Sequence, residues 1–456
     1  MTILQKIKGD LHFRELLQGS SIALLFRLLS ALASYVLIFV LARMYGAEGV
    51  GVYNTSWTIL MISAVIAKLG FDTSIVKFMA VSLGQRSYNK LRVIYKKGFI
   101  SVFISSVVMS LIIFGLSDFF TNWFFTKTSE KWVIQVVAFS VIPFAILSYN
   151  SESLKGLKKI LPFSIYQNVS IYFLTIIVLY IINYFYHDQK NIVIAIFISL
   201  LILSVASVYT FKSSVKHYPQ RDSFYSSSVP KLKEIFKTTI PMMLTNSLFL
   251  IMNWTDVLML ARLTNEETVG IYNTALKIAA LNSIVLIAIN SIAMPKFAEL
   301  YAQNNVHKFR VVVKVVSFIS FIVSLPVFLI IILWPDLILS TFGEEFIGGS
   351  SAMILLSIGQ LFSSFSGATI NLLNMTGREK VTMYILLVSI VINFILNYTL
   401  IPIYGLNGAA IATFVSTILW NILASICIYK YHSFFAYPVL RYTDLKKNFN
   451  VLFVKK

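Results

Sequence analysis

Five ionisable or amide side chains interrupt stretches of the sequence that are otherwise apolar. They are Arg27, Asn253, Asp256, Lys277 and Asn282. A guanidinium among apolar residues can hold a phosphate through two hydrogen bonds. A carboxylate in the same setting can carry a proton or a sodium ion, or can pair with a cation. The pattern therefore predicts a polar site that binds an anion and also contains an acid.

Two of these residues have plainer interpretations that the sequence leaves open. Only fifteen apolar residues, 28–42, follow Arg27. They make about 22 Å of helix, too short for a hydrocarbon core of about 30 Å, so the helix must take Arg27 into the membrane. Its side chain then either reaches back to the inner surface or faces a cavity. Lys277 either pairs with Asp256 or lines the same cavity, and Asn253 lies one turn from Asp256 on nearly the same face.

The sequence lacks the motifs of nucleotide, metal and redox chemistry. It contains no G-x-x-x-x-G-K-[ST] for ATP phosphates, no H-E-x-x-H and no pair of cysteines, since Cys427 is its one cysteine. The five histidines are scattered at or near predicted loops. We therefore predict no cofactor, no metal site and no catalytic residue.

The composition places these side chains in a membrane protein. The chain is 57% hydrophobic and 12% charged, with a mean hydropathy of +0.80. Soluble domains are roughly 45–50% apolar and about 25% charged. The net charge of +19 would suggest nucleic acid as the partner of a soluble protein, but for so apolar a chain it favours the membrane surface and membrane lipids.

Apolar runs long enough for a helix that crosses the bilayer occur twelve times. The predicted spans are 19–42, 50–71, 99–116, 132–150, 162–184, 191–211, 240–261, 269–293, 313–333, 350–374, 381–401 and 407–429. Thirty Lys and Arg residues lie in the segments on the side of the two termini, against five on the other side. This bias predicts a multi-pass protein of the plasma membrane with both termini in the cytoplasm.

An internal duplication relates the two halves. The segments LARMYGAEGVGVYNTSWTI (41–59) and LARLTNEETVGIYNTALKI (260–278) match at ten of nineteen positions without a gap. Each covers the end of one span and the start of the next, so each half has six spans and both halves point the same way. We predict an N-terminal lobe at 1–211, a cytoplasmic linker at 212–234, a C-terminal lobe at 235–429 and a basic cytoplasmic tail at 430–456. The repeated glycines permit close backbone approach, and we interpret the motif as architectural.

Three longer stretches resemble the bacterial polysaccharide flippases, the Wzx-type oligosaccharide-lipid translocases. These stretches read GSSIALLFRLLSALASYVLIFVLARMYGAEGVGVYNT, IMNWTDVLMLARLTNEETVGIYNTALKI and LLNMTGREKVTMYILLVSIVINFILNYTLIPIYGLNGAAIAT. The resemblance covers nearly the whole chain, and its motifs mark the fold more than the substrate.

The resemblance implies a V-shaped, all-α bundle of two six-helix lobes, shared with lipid II flippases and multidrug extruders. It implies movement of undecaprenyl-diphosphate-linked oligosaccharide to the outer leaflet for polysaccharides such as O-antigen or capsule. A polysaccharide polymerase and chain-length machinery would be its partners. Arg27 and Lys277, with Asn253 and Asn282, would then contact the anionic headgroup, and Asp256 would couple an ion or hold Lys277.

Two other functions of membrane proteins agree less well with the charged residues of this sequence. A cation-coupled multidrug antiporter of the same fold should present net acid inside its lobes, whereas Arg27, Lys277 and Asp256 are net positive. A glycan polymerase or ligase should carry paired acid and base groups on an outer segment. Outer carboxylates exist, but nothing in the sequence arranges them as a pair.

Overall fold

The computed structural model describes residues 11–125, 131–216, 218–219, 254–303 and 306–438, and in these ranges the chain is helical and contains no strand. The first helices are α1 (Leu11–Ala67), α2 (Phe71–Gly84), α3 (Tyr88–Gly115), α4 (Ser117–Phe124), α5 (Lys131–Gly156), α6 (Ile160–Ser164), α7 (Ser170–Phe185) and α8 (Asn191–Lys216). The later ones are α9 (254–263), α10 (Glu266–Ala302), α11 (Val306–Leu333), α12 (Pro335–Ser340), α13 (Ser350–Ser366), α14 (Thr369–Met375), α15 (Glu379–Tyr404) and α16 (Leu406–His432). A π-helical turn (Ile165–Val169) joins α6 to α7, and a 3₁₀ helix (Glu344–Gly349) precedes α13.

Helices occupy the positions of the predicted spans throughout the described ranges. Within the described residues, eight helical stretches are long and apolar enough to cross a membrane, one of them the run Glu344–Met375 over the 3₁₀ helix, α13 and α14. Helices α6 and α7 meet at a bend of 46°, and the pair adds a ninth stretch when it is counted as one span. Helix α1, a run of 57 residues with a break at Gly46, contains the first predicted span and residues 50–67 of the second. The described part of the seventh predicted span is α9.

The tenth predicted span, 350–374, lies within one candidate membrane span but is broken into two helices. Gly367 adopts a φ of 77°, and this left-handed conformation ends α13 before α14 begins. A Cβ atom at Gly367 would lie 2.0 Å from Ser317 Oγ. The glycine therefore both turns the chain and lets its backbone approach α11.

The chain divides into two compact units. The first takes in the described residues up to Tyr45 and from Val52 to Pro219, and the second takes in Gly46–Gly51 and the described residues from 254 onwards. In the first unit, Phe71 packs edge-on against the buried Tyr149, with ring centroids 6.0 Å apart. The core of the second unit is a cluster of apolar side chains around Phe297.

The two copies of the repeated motif contact each other inside the second unit. A Cβ atom at Gly51 would lie 1.7 Å from the carbonyl oxygen of Glu266, and one at Gly270 would lie 2.0 Å from that of Ala47. Gly51 thus faces Glu266, four residues before Gly270, and Gly270 faces Ala47, four residues before Gly51. This reciprocal contact agrees with the architectural interpretation of the motif, because only a hydrogen atom fits between the two backbones.

The two copies differ in how the helix that carries the glycine is capped. In the second copy, the Asn265 side chain accepts a hydrogen bond from Thr268 N at 2.9 Å. The corresponding residue of the first copy is Gly46, which has a φ of 65° and no side chain to serve as a cap. Here Glu345 supplies the acceptor, and Ala47 N donates to its Oε1 at 2.5 Å.

Glu345→Ala is expected to destabilise the protein modestly. Removal of a cap acceptor costs about 0.5–2 kcal/mol, which lowers the melting temperature by about 2–4 °C per kcal/mol in a domain of this size. The melting midpoint of detergent-purified protein, followed by size-exclusion chromatography after heating, measures the effect. Glu344→Ala, at the exposed neighbouring carboxylate, is the matched control. An equal midpoint for the two variants would contradict the capping role.

Candidate functional site

Asp256 is the centre of a buried polar site in the second unit. Its side chain is 4% exposed, and its carboxylate accepts hydrogen bonds from four uncharged side chains. Tyr272 Oη donates at 2.9 Å, Asn393 Nδ2 at 3.2 Å and Asn397 Nδ2 at 2.6 Å, and the Thr413 hydroxyl donates as well. Asn397 also donates to Asn393 Oδ1 at 3.0 Å. We call these five residues the Asp256 site.

The local sequence explains why four separate helices meet there. Short turns at 264–265 and at Gly405, which has a φ of 55°, join α9 to α10 and α15 to α16. Asp256, Tyr272, Asn397 and Thr413 each lie about two turns, or about 10 Å, from the helix end at such a turn. Helix α16 packs against both α15 and α10, which brings the side chains together.

The Asp256 site has the groups needed to hold a small cation or a proton. A carboxylate, two hydroxyl oxygens and two amide oxygens are hard ligands of the kind that alkali and alkaline-earth ions prefer. Among the described residues, the Oδ1 atom of Asn397 is buried and has no hydrogen-bond partner. Buried polar atoms normally have one. That oxygen is therefore available as an acceptor beside the carboxylate.

The other residues predicted for the site have different positions. Lys277 lies on α10 and is partly exposed. Asn282, also on α10, is completely buried, and its Nδ2 atom donates to Ala279 O at 3.2 Å. Its backbone oxygen accepts from Ser324 on α11 at 2.9 Å, so the residue lies within the packing of two helices. Asn253 and the side chain of Arg27 lie outside the described part of the chain.

Of the five members of the Asp256 site, only Asp256 was predicted from the sequence. Tyr272 carries no signal of its own, because it belongs to the repeated motif. Nothing in the sequence around Thr413 marks that residue either. Side-chain amides such as those of Asn393 and Asn397 more often form hydrogen bonds between helices than contacts with a ligand. Their spacing of four residues in an apolar helix nevertheless places both on one face. That spacing is the signal that could have linked them to Asp256.

The site belongs to one copy of the repeat only. At the same offset, the first copy has Leu37 in place of Asp256 and Tyr53 in place of Tyr272. Leu37 is buried and apolar, with 2% of its surface exposed. Between these two matching positions the buried acid therefore occurs in one copy, as expected of a specialised site.

Comparison with known proteins places this architecture among membrane transporters. The model of the polysaccharide biosynthesis protein family matches residues 16–301, and the MatE model matches residues 241–399. The capsular polysaccharide biosynthesis protein CapF of Staphylococcus aureus is 26% identical over 402 residues, which cover 85% of this chain and 93% of that protein. A Shigella flexneri protein described as an O-antigen transporter is 24% identical, with 83% of this chain and 89% of that protein covered.

A solved structure shows the same fold. The lipid II flippase MurJ, in an inward closed conformation, aligns with a TM-score of 0.66 over 96% of this chain and 91% of its own, at 14% identity. This likeness confirms the predicted fold class, an all-α integral membrane bundle.

Proposed function

The chain belongs to the polysaccharide biosynthesis protein family, and we propose that it moves undecaprenyl-diphosphate-linked oligosaccharide from the cytoplasmic to the outer leaflet of the plasma membrane. The proteins similar to this chain include one described as an O-antigen transporter and a lipid II flippase, which supports a membrane transporter and not an enzyme. In this proposal the oligosaccharide serves a surface polysaccharide such as capsule or O-antigen. Alternating access exposes the binding cavity first to one leaflet and then to the other.

The placement of the intramembrane charges is the observation that carries this proposal. The acid Asp256 is nearly inaccessible, with four uncharged donors around it, whereas Lys277 on the next helix is partly exposed. An enclosed acid beside a cation that is only partly enclosed favours an anionic substrate over a cationic one. A diphosphate is such a substrate, and ammonium and guanidinium groups bind it by charge-assisted hydrogen bonds. We assign this contact to Lys277 and Arg27, with Asn253 and Asn282 as further polar contacts.

Asp256 supplies the coupling in this proposal. The sequence has no motif for ATP phosphates, so the energy comes from an ion gradient or from the membrane potential. Binding of a proton or sodium ion at Asp256 changes the charge of a buried group shared by four helices. The packing of these helices then depends on the ion.

The excess of basic residues on one side supports an orientation with both termini in the cytoplasm. The substrate is then taken up at that face and released at the other. A polysaccharide polymerase and chain-length machinery would receive it there.

A cation-coupled multidrug antiporter is the second candidate, because the MatE model matches the second half of the chain. This function requires an acid that an organic cation can reach. The burial of Asp256 argues against it, and the two candidates predict opposite effects of removing Lys277 on the transport of their substrates.

Lys277→Gln and Arg27→Ala are each expected to slow flipping at least tenfold. Loss of a hydrogen bond to a charged group costs about 1.5–3 kcal/mol, and 1.4 kcal/mol corresponds to tenfold. Proteoliposomes that contain fluorescent undecaprenyl-diphosphate oligosaccharide report flipping through the loss of inner-leaflet label. Arg43→Ala, at an exposed arginine of α1, is the control.

Unchanged flipping in both variants would leave these residues without a role in substrate binding. Absence of flipping by the native chain, together with transport of a labelled organic cation, would overturn the proposed function and favour the antiporter.

A further inference from the structure

A basic pocket opens between α3 and α8 in the first unit, and none of its lining residues belongs to the Asp256 site. Its volume is about 520 Å³. That is within the range of about 300–1,000 Å³ typical of sites for small molecules. Its lining residues are Asn89, Arg92, Tyr95, Phe211, Lys212, Val215 and Lys216.

The floor of the pocket is a fixed aromatic pair. Tyr95 of α3 stacks on Phe211 of α8, with ring centroids 3.7 Å apart and planes 12° from parallel. Tyr95 Oη donates to Asn150 Oδ1 on α5 at 2.7 Å, and Asn150 Nδ2 donates to Ser207 Oγ on α8 at 3.0 Å. Three helices therefore hold the floor in place, so the pocket is built into the packing of the unit.

Arg92 is held in position at the rim. Its guanidinium donates to the backbone oxygens of Tyr218 at 2.8 Å and Pro219 at 3.1 Å, just after α8 ends. The Tyr218 ring stacks on Tyr88 of α3 at 5.1 Å. With a further bond from Arg92 to Asn89 Oδ1 at 3.4 Å, these contacts hold the guanidinium beside the cavity and use part of its five N–H donors.

The charge around the pocket has one sign. Lys212 and Lys216 lie one turn apart on α8 and both are exposed, so their ammonium groups share the rim with Arg92. The sequence has no acid between Asp72 and Asp118 or between Asp188 and Asp222. Helix α5 packs against both α3 and α8 and carries an acid, Glu152. This carboxylate pairs with Lys155 of the same helix at 3.2 Å, and it is not among the residues that line the pocket.

We propose that this pocket binds the anionic, phosphate-bearing headgroup of a lipid. Three cations around a preformed cavity match a phosphate or diphosphate, and the cavity is larger than a single phosphate needs. Its position, at the end of two membrane helices where the sequence concentrates basic residues, selects a ligand anchored in the adjoining leaflet. The headgroup belongs either to the carried lipid before translocation, which rests on the proposed function, or to an ordinary anionic phospholipid.

The test is lipid binding by native mass spectrometry of the full chain in detergent. The lipids are undecaprenyl diphosphate and phosphatidylglycerol, with zwitterionic phosphatidylcholine for comparison. The double variant Lys212→Gln/Lys216→Gln removes two rim charges, and Lys77→Gln/Lys380→Gln removes two exposed lysines elsewhere as a matched control. Near an anionic lipid each lysine is worth about 1 kcal/mol, so we expect the rim variant to bind about tenfold or more weakly. The control should stay within twofold of the native chain.

The outcomes separate the two sources. A weakening confined to undecaprenyl diphosphate identifies a docking site for the carried lipid, and one shared with phosphatidylglycerol identifies a general site for anionic lipids. If the native chain, the rim variant and the control all bind each lipid with the same affinity, the proposal is overturned. Flipping by the native chain is measured separately. An absence of lipid binding at the pocket would therefore not contradict the proposed function, and an absence of flipping would not contradict lipid binding at the pocket.

Discussion

Asp256→Asn is expected to abolish the stimulation of transport by an ion gradient and to leave the protein folded. The substitution keeps the shape of the side chain but removes the charge that a cation requires. The Tyr272 and Thr413 hydroxyls accept as well as donate, so they can turn to accept from the new amide. The amides of Asn393 and Asn397 can likewise present an oxygen in place of a nitrogen. The site therefore stays hydrogen-bonded without its charge.

The measurement uses proteoliposomes with fluorescent undecaprenyl-diphosphate oligosaccharide under an imposed sodium or proton gradient. The native chain should flip faster under the gradient of the coupling ion, and Asp256→Asn should flip at the same rate with and without it. Asp118→Asn is the matched control, because this exposed carboxylate pairs with Lys131 at the surface, at 2.7 Å. Surface pairs contribute about 0–1 kcal/mol, so the control should retain its response.

Asp256→Ala separates a structural role from a coupling role. It leaves the four donors without an acceptor, at about 1–3 kcal/mol for each unsatisfied group. We expect a clear loss of stability for Ala and little for Asn. An Asn variant that still responds to the gradient, beside an unstable Ala variant, would make Asp256 a purely structural residue.

The spans and the buried acid could be predicted from the sequence because both depend on residue type alone. An apolar run of about 20 residues has one stable state in lipid, and a carboxylate within it must be enclosed by polar groups. The partners of Asp256 could not be predicted in the same way. Tyr272 and Thr413 come from other helices, and the rotation of each helix is set by packing.

Asn282 illustrates the same limit from the other side. Its position in an apolar span makes it resemble a ligand contact, and the structure places it between α10 and α11, where Ser324 donates to its backbone oxygen. A side-chain amide between helices is stabilised in the same way whether or not a substrate passes nearby. Its contribution to substrate binding stays a prediction, and its buried Oδ1 atom has no hydrogen-bond partner among the described residues.

The repeated glycines provide the sharpest structural test. Gly51→Ala and Gly270→Ala are each expected to reduce the yield of folded protein several-fold. A methyl group at Gly51 would overlap the Glu266 oxygen, and one at Gly270 would overlap the Ala47 oxygen. Both obstacles are backbone atoms, so the helices themselves must move apart. Overpacking of this kind costs about 1–3 kcal/mol or more.

Gly84→Ala and Gly115→Ala are the matched controls, because both glycines lie in helices and a Cβ atom at either position has nothing within 4 Å. Alanine is favoured over glycine by about 1 kcal/mol inside a helix and by less at its last residue, where both controls lie, so the controls should be neutral or slightly more stable. The monodisperse fraction in size-exclusion chromatography measures the difference. Because the contact is reciprocal, the two repeat variants should lose similar amounts. Loss at only one glycine would mean that the repeat persists in sequence without a shared role in the packing, whereas matched losses explain why the chain carries the motif twice.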